Sequence, residues 1–232
     1  MIPVNIRNVY LCKCVIDQAP SAEARKGEIP MSNDGRRTLR MGDVAPDFEA
    51  RSTLGPVRLS GFRGRWVVFF SHPADFTPVC TTEFISLAKA YDRFLALDCS
   101  LLGLSVDSLY SHIGWMRAIH DVFDVEVPFP VVEDPSMVVG RTYGMIDEGA
   151  TSSAGVRATY FIDPEGIIRA ITYYPLTVGR SVDEILRMVA ALQATYSGAR
   201  LAPADWRQNE PLLLPADEKA QQEANWFCRS EA

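Results

Sequence analysis

Cys80 is the residue whose position most clearly suggests reactivity. It lies nine residues after Ser71, the end of a predicted buried strand, and just before apolar residues at helical spacing. A thiol in the first turn of a helix lies near unpaired N–H groups and the positive end of the helix macrodipole. Both favour the thiolate, which is the nucleophilic form of cysteine. The position makes Cys80 a candidate nucleophile, although taken alone a cysteine is more often a small buried hydrophobe.

The other cysteines do not form a recognisable dithiol or metal motif. The chain has five cysteines and no Cys-x-x-Cys, which disfavours a thioredoxin-type dithiol exchanger. Cys12 and Cys14 have no histidine nearby, so a zinc site there lacks the usual four ligands. Cys99 opens a predicted buried strand and is interpreted as packing. Cys228 follows two aromatic residues near the chain end, where it is either buried in a contact, a spectator or a reactive thiol. This cysteine usage favours a reducing compartment, so we expect a cytoplasmic protein with no metal site.

Composition excludes several function classes. The 232 residues are 47% hydrophobic and 22% charged, which is ordinary for a globular domain. A net charge of −6 argues against a nucleic-acid-binding protein. Apolar runs are only a few residues long, so no membrane-spanning segment is expected. Residues 9–16 faintly resemble a secretory signal, but Lys13 interrupts the apolar run.

The elements that must position Cys80 alternate between strands and helices. Buried strands are predicted at residues 65–71 and 101–106, and helices at 82–97 and 109–120. In the second helix, Ile113, Met116 and Ile119 are the predicted inner face. Two further strands, 157–162 and 167–173, flank a Pro-Glu-Gly turn, and a capping box at Ser181 opens a helix to about residue 194. The pattern predicts a three-layer α/β domain.

The chain divides into three predicted parts. Residues 1–40 have loop composition and are expected to form a flexible extension, although Met31 or Met41 could equally be the translation start. Residues 41–200 form the predicted domain, and residues 201–232 form an arm. We expect a monomer to expose the arm's apolar side chains, which are Trp206, Leu212, Leu213, Leu214, Trp226 and Phe227. Such a patch usually marks an interface, so a homodimer is expected.

The motif Pro73-x-x-x-Thr77-x-x-Cys80 resembles the active site of the peroxiredoxins. The resemblance covers about 190 residues, leaving out the first 40, and includes segments at residues 42–48, 103–108, 157–162 and 174–184. The carboxy-terminal region resembles the 1-Cys-type, peroxiredoxin-6-like subfamily, and the closing Trp-Phe-Cys resembles its archaeal and bacterial branch. The resemblance implies a thioredoxin-like fold with a C-terminal dimerisation arm, assembled as a dimer or a decamer.

The resemblance also implies roles for individual residues. Cys80 is the expected peroxidatic cysteine, which attacks hydrogen peroxide or an organic hydroperoxide and becomes a sulfenic acid. Thr77 is expected to align the peroxide, and Pro73 to shield the thiolate from bulk water. Arg157 is expected to stabilise the thiolate and the leaving alkoxide, although read alone it is an exposed charge at a strand edge.

Three further residues are expected around this centre. Arg180 matches a second arginine of the subfamily, although an arginine before a capping box is also an ordinary solvated charge. Glu83 and His72 are plausible orienting residues, and His72 could equally be a histidine satisfied beside the sheet. Neither a metal nor an organic cofactor is expected.

Cys228 matches the resolving cysteine of the Trp-Phe-Cys branch. There the corresponding thiol condenses with the sulfenic acid of the partner subunit, and a thioredoxin-type reductant recycles the disulfide. Alternatives are a one-cysteine peroxidase served by an external thiol, a ring-forming holdase, and a redox sensor. A hydrolase is a weaker alternative, because Cys80 has no evident general base. The phospholipase activity of animal relatives needs a Gly-x-Ser-x-Gly that residues 64–68 lack.

Overall fold

A computed structural model of the chain describes residues 38–146, 155–217, 225 and 227–230. The predicted flexible extension therefore lies outside the described residues, except for residues 38–40. The strands are β1 (Glu49–Ser52), β2 (Gly55–Arg58), β3 (Trp66–Ser71), β4 (Cys99–Ser105), β5 (Val131–Glu133), β6 (Arg157–Ile162), β7 (Ile168–Tyr174), β8 (Leu213–Leu214) and β9 (Arg229–Ser230). The helices are α1 (Pro78–Lys89), α2 (Tyr91–Ala96), α3 (Leu109–Phe123), α4 (Val138–Thr142) and α5 (Val182–Ala194), and a 3-10 helix spans Leu59–Phe62.

A seven-stranded mixed sheet forms the middle layer, in the order β2-β1-β5-β4-β3-β6-β7. The central strands β3, β4 and β5 are parallel, and β6 pairs antiparallel with β3. The helices α1 and α3 follow the carboxyl ends of β3 and β4, and the side chain of Arg157 projects from the start of β6. This edge of the sheet therefore brings the candidate residues together.

Alternate side chains of β3 build the core on both faces of the sheet. Trp66, Val68 and Phe70 pack with residues of α1, α2, α3 and α5. Val67 and Phe69 face the opposite core, which includes residues of the 3-10 helix and α4. All six side chains of β3 are buried, as predicted for a strand covered on both faces. The three-layer α/β prediction is confirmed.

The local turn and capping signals are confirmed by the structure. The β6–β7 hairpin turns at residues 163–166, where Gly166 has a φ of 75°. At the start of α5, the Ser181 hydroxyl accepts a hydrogen bond from the Glu184 N–H at 3.3 Å. The predicted helix at 82–97 was placed too late, since α1 begins at Pro78 and breaks at Ala90. Proline suits the first helical position because its missing N–H has no intrahelical partner there.

The predicted inner face of α3 is confirmed for Ile119 and for Met116, which packs against the core, and is wrong for Ile113. His112, Trp115 and Ile119 are the buried positions, whereas Ile113 is 42% exposed. The hydrophobic pattern placed Ile113 inside because it gave no weight to a buried histidine. The buried face of α3 carries His112, which belongs to the candidate active site described below.

The arm packs differently from the prediction. Trp206 and Leu212 are buried against Ala190 and Ala191 of α5 within the same chain, so a monomer does not expose them. Phe227 is 65% exposed, as expected, and Trp226 lies outside the described residues. None of the helices in the described part of the chain has the length and apolar character needed to cross a membrane.

Candidate active site

Cys80 is the third residue of α1, and its side chain has no exposed surface. Thr77 has extended backbone geometry just before the helix, and Pro78 begins it. The thiol therefore occupies the first helical turn, where the backbone N–H groups lack intrahelical acceptors. This is the position that the sequence predicted.

Arg157 brings a positive charge to the sulfur. Its Nη1 lies 3.3 Å from the Cys80 Sγ and 2.8 Å from the Glu83 Oε2. The Nε and Nη2 groups donate to the Leu176 carbonyl at 3.1 and 2.9 Å. Because all three nitrogens are engaged and the residue is 2% exposed, the guanidinium is held in place beside the thiol.

Glu83 joins the two buried arginines. It follows Cys80 by three residues, one helical turn, and its carboxylate accepts from the Arg180 Nε and Nη2, both at 2.9 Å. Burial by itself raises the pKa of Glu83, but the hydrogen bonds and charge of Arg180, with the charge of Arg157, lower it below the ordinary value. Glu83 is therefore an ionised carboxylate between two cations.

Arg180 is fixed from several sides. Its Nη1 donates to the Ala158 carbonyl at 3.0 Å, and its guanidinium lies 4.9 Å from the centre of the Phe70 ring. The side chain is buried, so the interpretation of Arg180 as a solvated charge is wrong, as is the same interpretation of Arg157. Glu83, Arg157 and Arg180 are called the ion cluster below.

Pro73 and Thr77 lie on the segment between β3 and α1. Pro73 is buried, and Thr77 is partly buried. The Thr77 hydroxyl donates to the Ala74 carbonyl at 2.8 Å, which leaves its oxygen lone pairs as acceptors. The predicted contribution of Thr77 is therefore restricted to accepting a hydrogen bond while this contact holds.

His72 belongs to a second buried group beside the thiol. Its Nε2 lies 2.9 Å from the Asp75 Oδ1, and the Nδ1 of His112 lies 2.8 Å from the Asp75 Oδ2. Burial lowers the pKa of His72, which favours the neutral ring. Burial raises the pKa of Asp75, but the hydrogen bonds from His112 and His72 hold it well below its usual range.

Sequence reasoning missed Asp75 and His112. The signal for His112 was its spacing from Trp115 and Ile119, which places all three on one helical face. Asp75 gave no signal, since an aspartate in a loop is ordinary turn chemistry.

Comparison with known proteins identifies the family. Residues 41–171 match the AhpC/TSA family. Peroxiredoxin 2 of Caldanaerobacter subterraneus is 49% identical over 176 residues, which are 76% of this chain and 80% of that protein. A peroxiredoxin of Aquifex aeolicus is 51% identical over 168 residues, covering 72% and 76% of the two chains.

The chain belongs to the peroxiredoxin family. Solved peroxiredoxins have the same fold. A yeast mitochondrial 1-Cys peroxiredoxin, described for its thiol-resolving mechanism via glutathione and thioredoxin systems, is 33% identical with a TM-score of 0.75. That match covers 83% of this chain and 99% of the other. A mutant of peroxiredoxin 6 of Arenicola marina is 30% identical with a TM-score of 0.72, covering 79% and 88% of the two chains.

The two other thiols in the described part of this peroxiredoxin differ sharply in environment, while Cys12 and Cys14 lie outside the described residues. Cys99 is buried, and burial raises its pKa to about 12, which agrees with a packing role. Cys228 is exposed and precedes β9, which pairs with β8 of the arm. Both Cys80 and Cys228 are free thiols, so their predicted pairing stays a prediction.

Proposed function

We propose that this enzyme reduces hydrogen peroxide and organic hydroperoxides through Cys80. The observation that carries the proposal is the 3.3 Å contact between the Cys80 Sγ and the Arg157 Nη1 in a fully buried setting. Arg157 and Arg180 supply two positive charges and Glu83 one negative charge. A thiolate at Cys80 makes the local charge zero, which supports the nucleophilic form of the sulfur.

The chemistry follows from this arrangement. The thiolate attacks the terminal oxygen of the peroxide, an S–O bond forms and the O–O bond breaks. The sulfur is oxidised to a sulfenic acid, and the leaving alkoxide or hydroxide takes up a proton to become an alcohol or water. Arg157 stabilises the charge on the leaving oxygen, Thr77 accepts a hydrogen bond from the peroxide, and Pro73 shields the sulfur.

We propose that Cys228 of the partner subunit resolves the sulfenic acid. Its thiolate attacks the Cys80 sulfur, an S–S bond forms, and the S–O bond breaks to release hydroxide, which takes up a proton to become water. A thioredoxin-type dithiol then returns both cysteines to thiols and is itself oxidised to a disulfide. Exposure of Cys228 supports this role, as does the exposed Phe227 beside it. A cytoplasmic location, where such reductants operate, is part of the same proposal.

One observation favours an alternative, a one-cysteine peroxidase, and it is the structural similarity to a yeast 1-Cys peroxiredoxin. In that case an external thiol attacks the sulfenic acid. Burial of Cys80 does not separate the two routes, because the first turn of α1 must move before either Cys228 or an external thiol can reach the sulfur.

The test compares Cys80→Ser and Cys228→Ser with wild type, using Cys99→Ala as the control for losing an inert thiol. We expect Cys80→Ser to abolish the fast peroxide reaction in stopped-flow measurements. Cys228→Ser should keep that reaction, lose thioredoxin-coupled turnover and lose the covalent dimer on non-reducing gels. Peroxide consumption by Cys80→Ser at the wild-type rate would refute Cys80 as the reacting thiol, whereas a wild-type protein without peroxide reduction would refute the peroxidase and leave the holdase. Normal turnover by Cys228→Ser would assign the one-cysteine route.

A further inference from the structure

The buried group beside the thiol consists of His72, Asp75 and His112, called the His–Asp–His chain below. All three residues are buried, with His72 and His112 at 0% exposure. Asp75 contacts both rings, while the His112 Nε2 lies 3.2 Å from the Val132 carbonyl. The roles proposed above do not use Asp75 or His112.

Direct hydrogen bonding describes this chain better than metal ligation. Asp75 oxygens lie 2.8–3.0 Å from the ligand-type nitrogens of both histidines. Ligand atoms around a tetrahedral zinc, at bond lengths of about 2.0–2.1 Å, lie about 3.3 Å apart. At the observed separations a proton fits between the Asp75 oxygens and the histidine nitrogens. A zinc ion would require these atoms to move apart and would replace their hydrogen bonds.

Asp75 anchors the segment of residues 72–77 that joins β3 to α1. Its backbone N–H donates to the Asp107 carboxylate at 3.0 Å, and that carboxylate also accepts from the Ser105 hydroxyl at 2.7 Å. The carboxylate of Asp75 contacts His72, which directly follows β3, and His112 of α3. Asp75 therefore ties the segment both to α3 and to the β4–α3 connection.

The neighbouring residue shows why such an anchor is needed. Phe76 has a φ of 56°, in the left-handed region that a bulky side chain rarely adopts. Its side chain is 61% exposed, so burial contributes little to holding this backbone. A strained conformation of this kind persists only when the surroundings fix it. The contacts of Asp75 supply that constraint one residue before Phe76.

We propose that Asp75 and His112 are positioning residues for the peroxide reaction. Through the His–Asp–His chain they hold residues 72–77 in the strained conformation that places Pro73 and Thr77 beside Cys80. The expected effect of these residues on the rate of peroxide reduction rests on the proposed function. Their expected effect on the accessibility of Cys80 does not require peroxidase activity.

Two substitutions of His112 separate positioning from general stability. In His112→Asn, the side-chain nitrogen replaces Nδ1 and can still donate to Asp75. In His112→Gln, it replaces Nε2, so the Val132 contact is kept and the Asp75 contact is lost. Asp75→Asn removes the charge while its backbone bond to Asp107 remains, and it should resemble His112→Gln.

Two readouts should then move in opposite directions. Loss of one hydrogen bond to a buried charge should slow peroxide reduction by His112→Gln about 10–100-fold. The same variant should show faster alkylation of Cys80 by iodoacetamide, because the segment opens more often. His112→Asn should stay within about threefold of wild type in both the peroxide rate and the alkylation rate, since it keeps the hydrogen bond to the charged Asp75 carboxylate. The fluorescence of Trp115 can follow the fast phase of the peroxide reaction. The Trp115 ring centre lies 4.6 Å from that of Phe84 and 5.2 Å from that of His72.

The following results would overturn the proposed positioning role of Asp75 and His112. Equal losses of rate in His112→Asn and His112→Gln, in proportion to their losses in urea midpoint, would show a purely structural role. Unchanged alkylation of Cys80 in His112→Gln and Asp75→Asn would also overturn the proposal. A stoichiometric metal in purified wild type that His112→Gln loses would replace the hydrogen-bonded chain with a metal site. Failure of the proposed function shows separately, as a wild-type protein without peroxide reduction.

Discussion

The ion cluster makes Glu83→Gln the most informative single substitution for stability. The change keeps the size of the side chain and removes its charge, leaving Arg157 and Arg180 buried without their shared carboxylate. One 2.8 Å contact to Arg157, two 2.9 Å contacts to the Arg180 guanidinium and one 2.7 Å contact to the Arg180 backbone N–H are affected. The glutamine NH2 group donates hydrogen bonds and cannot accept them, so one position of the carboxylate would then present a donor to the guanidinium donors.

The expected loss of stability is large for one substitution. Breaking a buried ion pair by removing one partner costs about 3–5 kcal/mol. At about 2–4 °C per kcal/mol for a domain of this size, Tm should fall by about 6–20 °C. The matched control is Glu49→Gln, which breaks an exposed 3.0 Å pair with Arg58 and should change the free energy of unfolding by less than about 0.5 kcal/mol.

The assay is urea unfolding of the reduced protein between pH 3.5 and 8. The pKa of Glu83 is lowered in the folded state, mainly because Arg180 and Arg157 outweigh the effect of burial. Its stabilisation is therefore present above the unfolded pKa of about 4.3 and is lost as pH falls through the folded pKa. The difference between wild type and Glu83→Gln should stay constant from pH 6 to 8 and narrow in acid. A Glu83→Gln protein as stable as Glu49→Gln at pH 7 would refute the assignment of Glu83 as the centre of the ion cluster.

Two further predictions concern charge and protonation. Arg157→Met should slow peroxide reduction about 10²–10³-fold, the usual effect of losing one donor that stabilises transition-state charge. Arg58→Met is its surface control, and equal stopped-flow rates for the two variants would contradict the role of Arg157. Burial lowers the pKa of His72, so below about pH 6.5 the unfolded chain binds a proton that the folded chain does not. Stability should therefore fall as pH drops below 6.5, by at most about 1.4 kcal/mol per pH unit from this residue. His72→Gln should remove that part of the slope in urea titrations between pH 5 and 6.5, and an unchanged slope would contradict it.

The sequence was informative wherever chemistry and local geometry depend on neighbours in the chain. The buried strand before Cys80 and the helical spacing after it placed this residue at a helix start, although the helix was predicted from residue 82 and begins at Pro78. The β6–β7 hairpin and the start of α5 likewise depend on a Pro-Glu-Gly turn and a capping serine. Arg157 and Arg180 were found through the family resemblance, because a charged residue at a strand edge is by itself ordinary.

The sequence was uninformative where buried polar groups satisfy each other across the fold. Asp75 and His112 are 37 residues apart, and each has an unremarkable local context. Only the packing of α3 against the β3–α1 segment brings them together. The same limitation misplaced the inner face of α3, because hydrophobic periodicity favours Ile113 over a histidine whose partner is distant in sequence.

Glu83 connects the stability of this fold to the chemistry proposed for it. Its carboxylate ties α1, which carries Cys80, to Arg157 on β6 and to Arg180 just before α5. The proposed attack by Cys228 requires the first turn of α1 to move, and the turn that must move is adjacent to Glu83. When a thiolate becomes a neutral sulfenic acid, the group of Cys80, Glu83, Arg157 and Arg180 gains one net positive charge in a buried setting. A buried charge without a partner is unfavourable, so the proposed oxidation of Cys80 should weaken the closed arrangement around the sulfur. The ion cluster should therefore stabilise the buried position of the first turn of α1 before the peroxide reaction and stabilise it less afterwards. Resolution by a second thiol requires this sequence of events, because that thiol can attack only after the turn has moved.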